Sequence, residues 1–99
     1  MRDVQLLVLT ALAAAPMHGH GIRAEIERLS GQPVGPGTLY GAIGRLEAEG
    51  LIRALPPVER RKPYELTSAG CRRLADDIEK SRQLVKTAEE RLGGLTWTG

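Results

Sequence analysis

Apolar residues recur with helical spacing along most of the chain. From residue 3 to residue 15, leucine, valine and alanine return every three or four positions on almost all sides of the segment. This pattern predicts a first helix that is covered on more than one side. Asp3 can cap its start, and Pro16 ends it because proline disfavours helix at the residue before it.

A second helix is predicted to run to about Leu29. Ile22, Ile26 and Leu29 are spaced so that they form one buried stripe. We expect Met17–Gly21 to form a turn that joins the first two helices. Turn-forming residues follow the second helix at 30–33.

A third helix is predicted between Pro36, which suits the first helical position, and Gly50, which suits the left-handed residue after the last. Leu39, Ile43 and Leu46 lie on its core side. The opposite side is small and nearly uncharged, and it carries Gly37, Thr38, Gly41, Gly44, Arg45 and Ala48, with Tyr40 at its edge. Each interior glycine costs about 1 kcal/mol of helix stability relative to alanine. A side without bulk lets another surface approach, and we expect the DNA major groove there; a surface helix of poor propensity is the alternative.

After Gly50 the pattern changes to that of strands. Two strands are predicted, at 51–55 and at 63–66, with two prolines ending the first. The loop between them carries the basic run Arg60-Arg61-Lys62. A helix-turn-helix followed by a hairpin is the order of a winged helix, whose wing reaches DNA phosphates. A solvated hairpin tip is the alternative for this run.

Thr67 is expected to cap a last helix that ends near Leu92. Its apolar and small residues follow a heptad, with Cys71, Ile78, Val85 and Leu92 at one position and Leu74, Ser81 and Ala88 three residues later. About 25 residues rise roughly 37 Å, which is more than a small winged domain needs. We therefore expect this seam to contact a second copy of the chain, together with Val4, Leu7, Val8 and Ala11 of the first helix. The alternative is a seam that lies wholly on its own domain.

The predicted fold is mainly α with a small β-hairpin. It consists of a winged helix-turn-helix domain at 1–66, a C-terminal dimerisation helix at 67–93 and a flexible tail at 94–99, in which Trp97 is a candidate docking residue.

Composition narrows the class of protein. The single cysteine excludes an intrachain disulfide framework, and the sequence has no apolar run long enough to span a bilayer, so we expect a cytoplasmic protein. The net charge of +2 is uneven, since residues 1–73 carry +3 and residues 74–99 carry −1. This modest basic excess is compatible with nucleic acid. The sequence offers no set of nucleophile, base and orienting group, so an enzyme is not expected.

Three motifs, in order, carry a specific resemblance to a known family. They are Met17-His18-Gly19 after a leucine-rich helix, the run Pro-Gly-Thr-Leu-Tyr-Gly-Ala-Ile-Gly-Arg-Leu-Glu-Ala-Glu-Gly-Leu-Ile from Pro36 to Ile52, and Tyr64-Glu-Leu-Thr-Ser-Ala-Gly. Over residues 4 to 92 the chain resembles the short-tailed branch of the PadR-family transcriptional regulators. The resemblance implies a homodimeric winged-helix repressor without a cofactor, bound to double-stranded operator DNA with a two-fold repeat. Release by a small-molecule effector is an open question, since the last helix lacks the aromatic residue through which some members bind planar drugs.

The residues expected at DNA form three groups: His18, Gly19 and His20 before the second helix; Pro36, Gly37, Thr38, Tyr40, Gly41 and Arg45 on the third; and Arg60, Arg61 and Lys62 in the wing. Thr38 and Tyr40 are expected to contact base edges or phosphates. Arg45 and the wing are expected to contact phosphates, and so are the backbone N–H groups before the second helix. A partly buried Tyr40, and an ion pair of Arg45 with Glu49, are the alternatives.

The chain departs from the family pattern at several positions. His20 stands where tyrosine is frequent, Gly35 replaces a frequent capping serine, and the wing has Glu59–Pro63 where a Gly-Arg pair is usual.

The sequence also bears on a metal site, a redox switch and an adaptor function. His18, His20 and Cys71 are too few and too poorly spaced to predict a metal site. Cys71 is interpreted as a small buried hydrophobe in preference to a redox switch. A winged-helix protein–protein adaptor without DNA binding is the alternative function, and a steep dependence of binding on salt would distinguish a DNA-binding regulator from it.

Overall fold

The computed structural model describes residues 3–95. Helices and strands follow in the order α1 (Val4–Ala14), β1 (Met17–His18), α2 (Gly19–Ser30), α3 (Pro36–Ala48), β2 (Ile52–Ala54), β3 (Pro63–Leu66) and α4 (Ser68–Gly93). This is the order of a winged helix with a long C-terminal helix, as predicted. Trp97 and most of the expected tail lie outside the described residues.

Helix α1 is the centre of the core. It begins where expected, because the Asp3 carboxylate accepts a hydrogen bond of 3.2 Å from the Leu6 N–H. It packs against α2, α3, α4 and β3, and its residues Val8, Leu9, Ala11 and Leu12 are buried. Burial of each large apolar side chain contributes about 1.5 to 3 kcal/mol.

Two of the residues expected at a dimer contact are not available for one. Val8 and Ala11 are completely buried inside their own chain, so they leave no area for a second copy, and that part of the prediction is wrong. The apolar stripe identified them as buried, but α1 is covered by elements of its own chain, namely α2, α3, α4 and β3. Val4 and Leu7 are half-buried and lie at the edge of the core.

The segment after α1 differs from the prediction of a simple turn. Met17 and His18 form β1, which pairs antiparallel with β3, Met17 opposite Tyr64 and His18 opposite Pro63. The sheet therefore has three strands in the order β1-β3-β2, and α2 begins directly at Gly19. Pairing with β1 gives the outer edge of β3 a backbone partner, which is why so short a segment becomes extended.

Helix α2 ends one residue later than expected, and Gly31 follows it with a φ of +72°. Ile22 and Ile26 are buried as predicted, whereas Leu29 is 42% exposed. The prediction that Leu29 is buried is therefore wrong, and Val34 of the following loop is buried in the core instead.

Helix α3 has the predicted ends and the predicted buried side. Pro36 is its first residue, and Gly50 follows the C-cap with a φ of +75°. Leu39, Ile43 and Leu46 are buried.

The start of α4 lies directly against the connection between α3 and β2. The Thr67 hydroxyl accepts from the Gly70 N–H at 3.0 Å and donates to the Gly50 carbonyl at 2.7 Å, while the Thr67 N–H donates to the Leu51 carbonyl at 3.1 Å. Gly70 is buried, and a Cβ there would overlap the Leu51 carbonyl oxygen. The end of α3 and the start of α4 are therefore held together through backbone contacts.

Most of the predicted α4 seam is not covered by its own domain. Leu74 packs at the edge of the core, but Ile78, Val85 and Leu92 are exposed. Cys71 is also exposed in the single chain, contrary to the expected burial. Leu6 and Thr10 of α1 and the seam residues from Leu74 to Val85 line an apolar groove of about 600 Å³, named here the α1–α4 groove. Within residues 3–95, no helix is long and apolar enough to cross a membrane.

Candidate nucleic-acid interface

One cleft of about 460 Å³, named here the wing cleft, brings together the predicted residues at the start of α2 and in the wing with a single predicted residue of α3, Tyr40. The residues that line it are His18, Gly19 and His20 at the start of α2, Tyr40 on α3, and Arg60, Arg61, Lys62 and Tyr64 of the hairpin. Pairing of β1 with β3 brings the start of α2 beside the wing, since His18 lies opposite Pro63.

The tip of the wing is a tight two-residue turn. Val58 and Arg61 exchange backbone hydrogen bonds of 2.8 and 2.9 Å, and between them Glu59 and Arg60 have φ values of +51° and +68°. Left-handed backbone costs a residue other than glycine about 1 to 2 kcal/mol. The turn places Arg60 at the tip and turns Arg61 and Lys62 back along the cleft.

The wing cations keep their charge available. Lys62 Nζ lies 5.4 Å from the centroid of the Tyr64 ring, and Arg61 Nη1 lies 3.2 Å from His18 Nε2. Within the described part of the chain, no carboxylate forms an ion pair with Arg60, Arg61 or Lys62. Because no carboxylate of the described residues neutralises these three positive charges, they produce a positive potential at the cleft.

Glu65, the nearby acidic residue of β3, does not reduce this potential strongly. Its carboxylate accepts a 2.6 Å hydrogen bond from Arg53 of β2, so its charge is balanced within the sheet.

His18 caps α2 with its ring. Its Nδ1 accepts a 3.2 Å hydrogen bond from the Gly21 N–H. The ring of His20 lies nearby, with 6.3 Å between the ring centroids. The start of α2 therefore presents two imidazoles to the cleft, and no local sequence pattern predicts the capping role of the first.

Gly19 and Tyr40 form a packing contact. A Cβ at Gly19 would lie 2.5 Å from Tyr40 Oη, so only glycine allows the ring to lie this close. Gly19 itself is buried, which makes it a support for Tyr40 more than a direct contact for DNA. Tyr40 is 52% exposed. Its ring packs on α2, as the partly buried alternative predicts, while much of its surface remains open for the expected DNA contact.

The small side of α3 forms a second, shallower surface. Gly37, Thr38, Gly41 and Arg45 line a depression of about 370 Å³ together with Asp3, Val4, Gln5 and Ala42. A Cβ added at Gly37, Gly41 or Gly44 would meet nothing within 4 Å. These glycines are therefore not required by packing inside the chain. Their absence of bulk leaves space on the outside, next to the exposed Pro36 at the start of the helix.

Arg45 does not pair with Glu49, which was the alternative interpretation. Glu49 lies 3.7 Å from Arg73 of α4 instead, and Arg45 forms no ion pair with any residue that the structure describes. Arg45 is exposed and free to reach a partner beyond the depression.

Comparison with known proteins places this architecture in a family. The model of the transcriptional regulator PadR-like family matches residues 8–76, which include the wing cleft and the start of α4. The chain belongs to this family. It is therefore a PadR-family transcriptional regulator, which confirms the predicted class.

Individual relatives agree with this assignment. The chain is 54% identical over 68 residues to an uncharacterised 37.1 kDa protein of transposon TN4556 from Streptomyces fradiae; the match covers 69% of this chain and a fifth (20%) of that protein. It is 38% identical over 98 residues to the transcriptional regulator Rv3488 of Mycobacterium tuberculosis, covering 96% of this chain and 88% of that protein.

A PadR-family transcription regulator of known structure, from Clostridium difficile R20291, shares the fold. The TM-score is 0.79 at 26% identity, with 90% of this chain and 97% of that chain covered. The predicted winged-helix class is thereby confirmed.

Proposed function

We propose that this PadR-family regulator is a homodimeric repressor that binds a two-fold symmetric DNA operator through the wing cleft and the small side of α3. The wing cleft carries the proposal. It joins three cations without ion-pair partners in the described chain to Tyr40 of α3, beside a helix side that lacks bulk. The wing cations suit DNA phosphates, and the small side of α3 next to them suits the floor of the major groove.

The two parts of this surface have different tasks in the proposal. Arg60, Arg61 and Lys62 contact phosphates, which gives affinity for any sequence. Thr38 and Tyr40 lie in the first turns of α3 and read base edges, supported by the close approach that Gly37 and Gly41 permit. Arg45, one turn later, contacts a phosphate at the edge of the groove.

The dimer in this proposal forms at the α1–α4 groove. Ile78 and Val85 are 47% and 55% exposed, and Leu6 and Leu74 line the same groove. Exposed apolar residues at heptad spacing on a helix of 26 residues are typical of a helix–helix interface. Ser81 and Ala88 allow close approach along that seam. A two-fold dimer places two α3 helices in major grooves about 34 to 36 Å apart.

Release by a small-molecule effector is the remaining part of the proposal. The volume of the α1–α4 groove, about 600 Å³, falls within the range of small-molecule sites. Among residues 3–95, no aromatic residue lines it, so these residues do not suit a ligand held by ring stacking.

Fluorescence anisotropy tests the DNA part of the proposal. The labelled probe is DNA from directly upstream of the protein's own gene, and random DNA of equal length is the control, each at several salt concentrations. Tighter, salt-dependent binding to the upstream probe supports a sequence-specific regulator. Equal binding to both probes contradicts recognition of this site, and no binding to either at low salt favours the adaptor function, which a partner pull-down would then examine.

A further inference from the structure

The imidazole of His18 faces two hydrogen-bond donors and can accept from one. The Gly21 N–H lies 3.2 Å from Nδ1, and Arg61 Nη1 lies 3.2 Å from Nε2. A neutral imidazole has one lone pair and one N–H. Whichever tautomer forms, one of these two contacts places an N–H against another N–H.

The two tautomers differ in what they leave unsatisfied. With the proton on Nε2, the ring caps α2, and its N–H is directed at the Arg61 guanidinium. With the proton on Nδ1, the ring accepts from Arg61, and the Gly21 N–H loses the cap that satisfies the start of α2. A doubly protonated ring makes both contacts unfavourable and adds repulsion from Arg61. An anionic oxygen beside Nε2 and Arg61 would resolve this conflict in favour of the capping tautomer.

The groups around His18 do not supply that oxygen. His20, Tyr40, Arg60, Lys62 and Tyr64 line the cleft with it, and no carboxylate is among the lining residues that the structure describes. Glu59 lines a neighbouring depression of about 270 Å³, which His18 and Arg61 also line. Within residues 3–95, however, Glu59 forms no ion pair with Arg61. The acceptor is therefore expected to come from outside the chain.

We propose that the inner end of the wing cleft is a subsite for one DNA backbone phosphate, whose non-bridging oxygens accept from His18 Nε2–H and from the Arg61 guanidinium. This inference rests on the proposed function. The phosphate converts an unfavourable donor–donor contact into two charge-assisted hydrogen bonds. It also selects the tautomer that caps α2, so binding of this phosphate and the ordered start of α2 support each other.

Two substitutions separate the capping role of His18 from its donor role. Serine and aspartate are both good N-caps, so His18→Ser and His18→Asp should keep the thermal unfolding midpoint and the helix signal in circular dichroism. Serine cannot reach a phosphate across the cleft, and aspartate offers Arg61 a competing carboxylate. We expect DNA affinity to fall about tenfold for serine and further for aspartate, equally on upstream and random DNA. Unchanged affinity in both folded variants would overturn the subsite while leaving the proposed function intact.

Methylphosphonate substitution of the DNA identifies the phosphate directly. Single phosphates of the upstream probe are replaced one at a time by the uncharged analogue. We expect one position per half-site at which the replacement lowers the DNA affinity of the natural protein. At that same position, the replacement should not lower the DNA affinity of His18→Ser any further. Equal sensitivity of the two proteins at every position would contradict the subsite.

Nitrogen NMR of the bound protein provides a measurement that needs no variant. In the DNA complex, ¹⁵N chemical shifts of His18 should show a protonated Nε2 and an unprotonated Nδ1. A protonated Nδ1 in that complex would overturn the proposal. If the natural protein binds no DNA at any salt concentration, the proposed function fails, and the subsite fails with it.

Discussion

The wing cleft and the α1–α4 groove are two open surfaces of one small chain, and they expose opposite chemistry. The wing cleft presents three cations and several hydrogen-bond donors, and its lining has no acidic residue among those that the structure describes. The α1–α4 groove presents mostly apolar surface, from aliphatic side chains such as Leu6, Leu74, Ile78 and Val85, although charged residues of α4 also line it, namely Asp77, Arg82, Lys86 and Glu89. A charged cleft is stable in water until a polyanion replaces its counterions, whereas an apolar groove gains free energy as soon as another apolar surface covers it.

This difference predicts different responses to salt. Association at the wing cleft should weaken steeply as salt rises, because each phosphate contact releases bound counterions. Association at the groove should change little, because burial of apolar area does not depend on screening. One protein should therefore show a salt-sensitive and a salt-insensitive interaction.

The largest effect is expected in the groove. The double variant Ile78→Asp with Val85→Asp places two carboxylates in the apolar seam, where they would have to be desolvated. We expect self-association of the proposed dimer to weaken roughly 100-fold or more, measured by sedimentation velocity over a range of concentrations. Leu84→Asp is the matched control, because Leu84 is 70% exposed and does not line the groove. Equal weakening by the control would place the dimer contact elsewhere on α4.

A smaller effect is expected in the wing. Arg60→Ala with Arg61→Ala should weaken binding to upstream and random DNA in about the same ratio and lower the salt slope by about 2, near 0.9 for each lost phosphate contact. Arg72→Ala with Lys80→Ala removes two exposed charges of α4 outside the cleft and is the control.

Tyr40→Ala should instead weaken binding to the upstream site more than binding to random DNA. If the wing pair and Tyr40→Ala reduced both probes in the same ratio, the division between phosphate and base contacts would be wrong.

The small side of α3 should separate stability from binding. Gly41→Ala adds a methyl group into open space and should raise the free energy of unfolding by about 0.5 to 1 kcal/mol, measured by urea denaturation. The same methyl group should lower DNA affinity, because Gly41 lines the depression beside α1. Gly44→Ala adds an equally unhindered methyl group about one turn further along the same side of α3, outside that depression, and should lower DNA affinity less. Full DNA affinity in Gly41→Ala would show that DNA does not approach this part of α3.

A substitution at the wing tip should stabilise the fold while keeping all three wing cations. Glu59→Asn puts a residue that tolerates left-handed backbone at a φ of +51°, and asparagine is favoured at this position of a two-residue hairpin turn. We expect the free energy of unfolding to rise by a few tenths of a kcal/mol up to about 1 kcal/mol, measured by thermal unfolding. A lower unfolding midpoint would mean that the Glu59 side chain stabilises the tip in a way that its contacts do not reveal.

The smallest effect concerns a charge pair remote from both surfaces. Hydrogen bonds from Arg28 to Glu25, at 2.8 and 2.9 Å, hold the pKa of Glu25 below its ordinary value of 4.5. Because the folded-state pKa is the lower one, the pair stabilises the fold above the unfolded pKa, and this contribution is lost as pH falls through the folded-state value. Carboxyl titration by NMR should show a midpoint below 4.5 that rises in Arg28→Ala. An unchanged midpoint in that variant would assign the shift to another cause.

The ends of the helices could be predicted because their causes are local. Asp3, Pro36, Gly50 and Thr67 each act within a few residues, through a cap, a missing N–H or a left-handed backbone. Strand β1 could not be predicted in this way. Two residues have no period, and their extended conformation depends on pairing with β3, far along the chain.

The residue types of the wing cleft could be predicted from the sequence, but the contacts between them could not. His18 and Arg61 were both expected near DNA, yet their contact joins residues 43 positions apart and depends on β1. The burial of Val8 and Ala11 shows a related difficulty. An apolar stripe predicts that a residue is covered, but the covering partner follows from the packing of the whole domain.

The central position of α1 has a consequence for synthesis on the ribosome. Its neighbours α2, α3, β3 and α4 are all made after it, and the last of them begins at Ser68. At about 5 to 20 residues per second, the leucine-rich helix, complete at Ala14, waits roughly 3 to 11 seconds before translation of its final partner begins. During that time the nascent chain carries its most apolar segment incompletely covered, so chaperone binding and aggregation should both concentrate on α1.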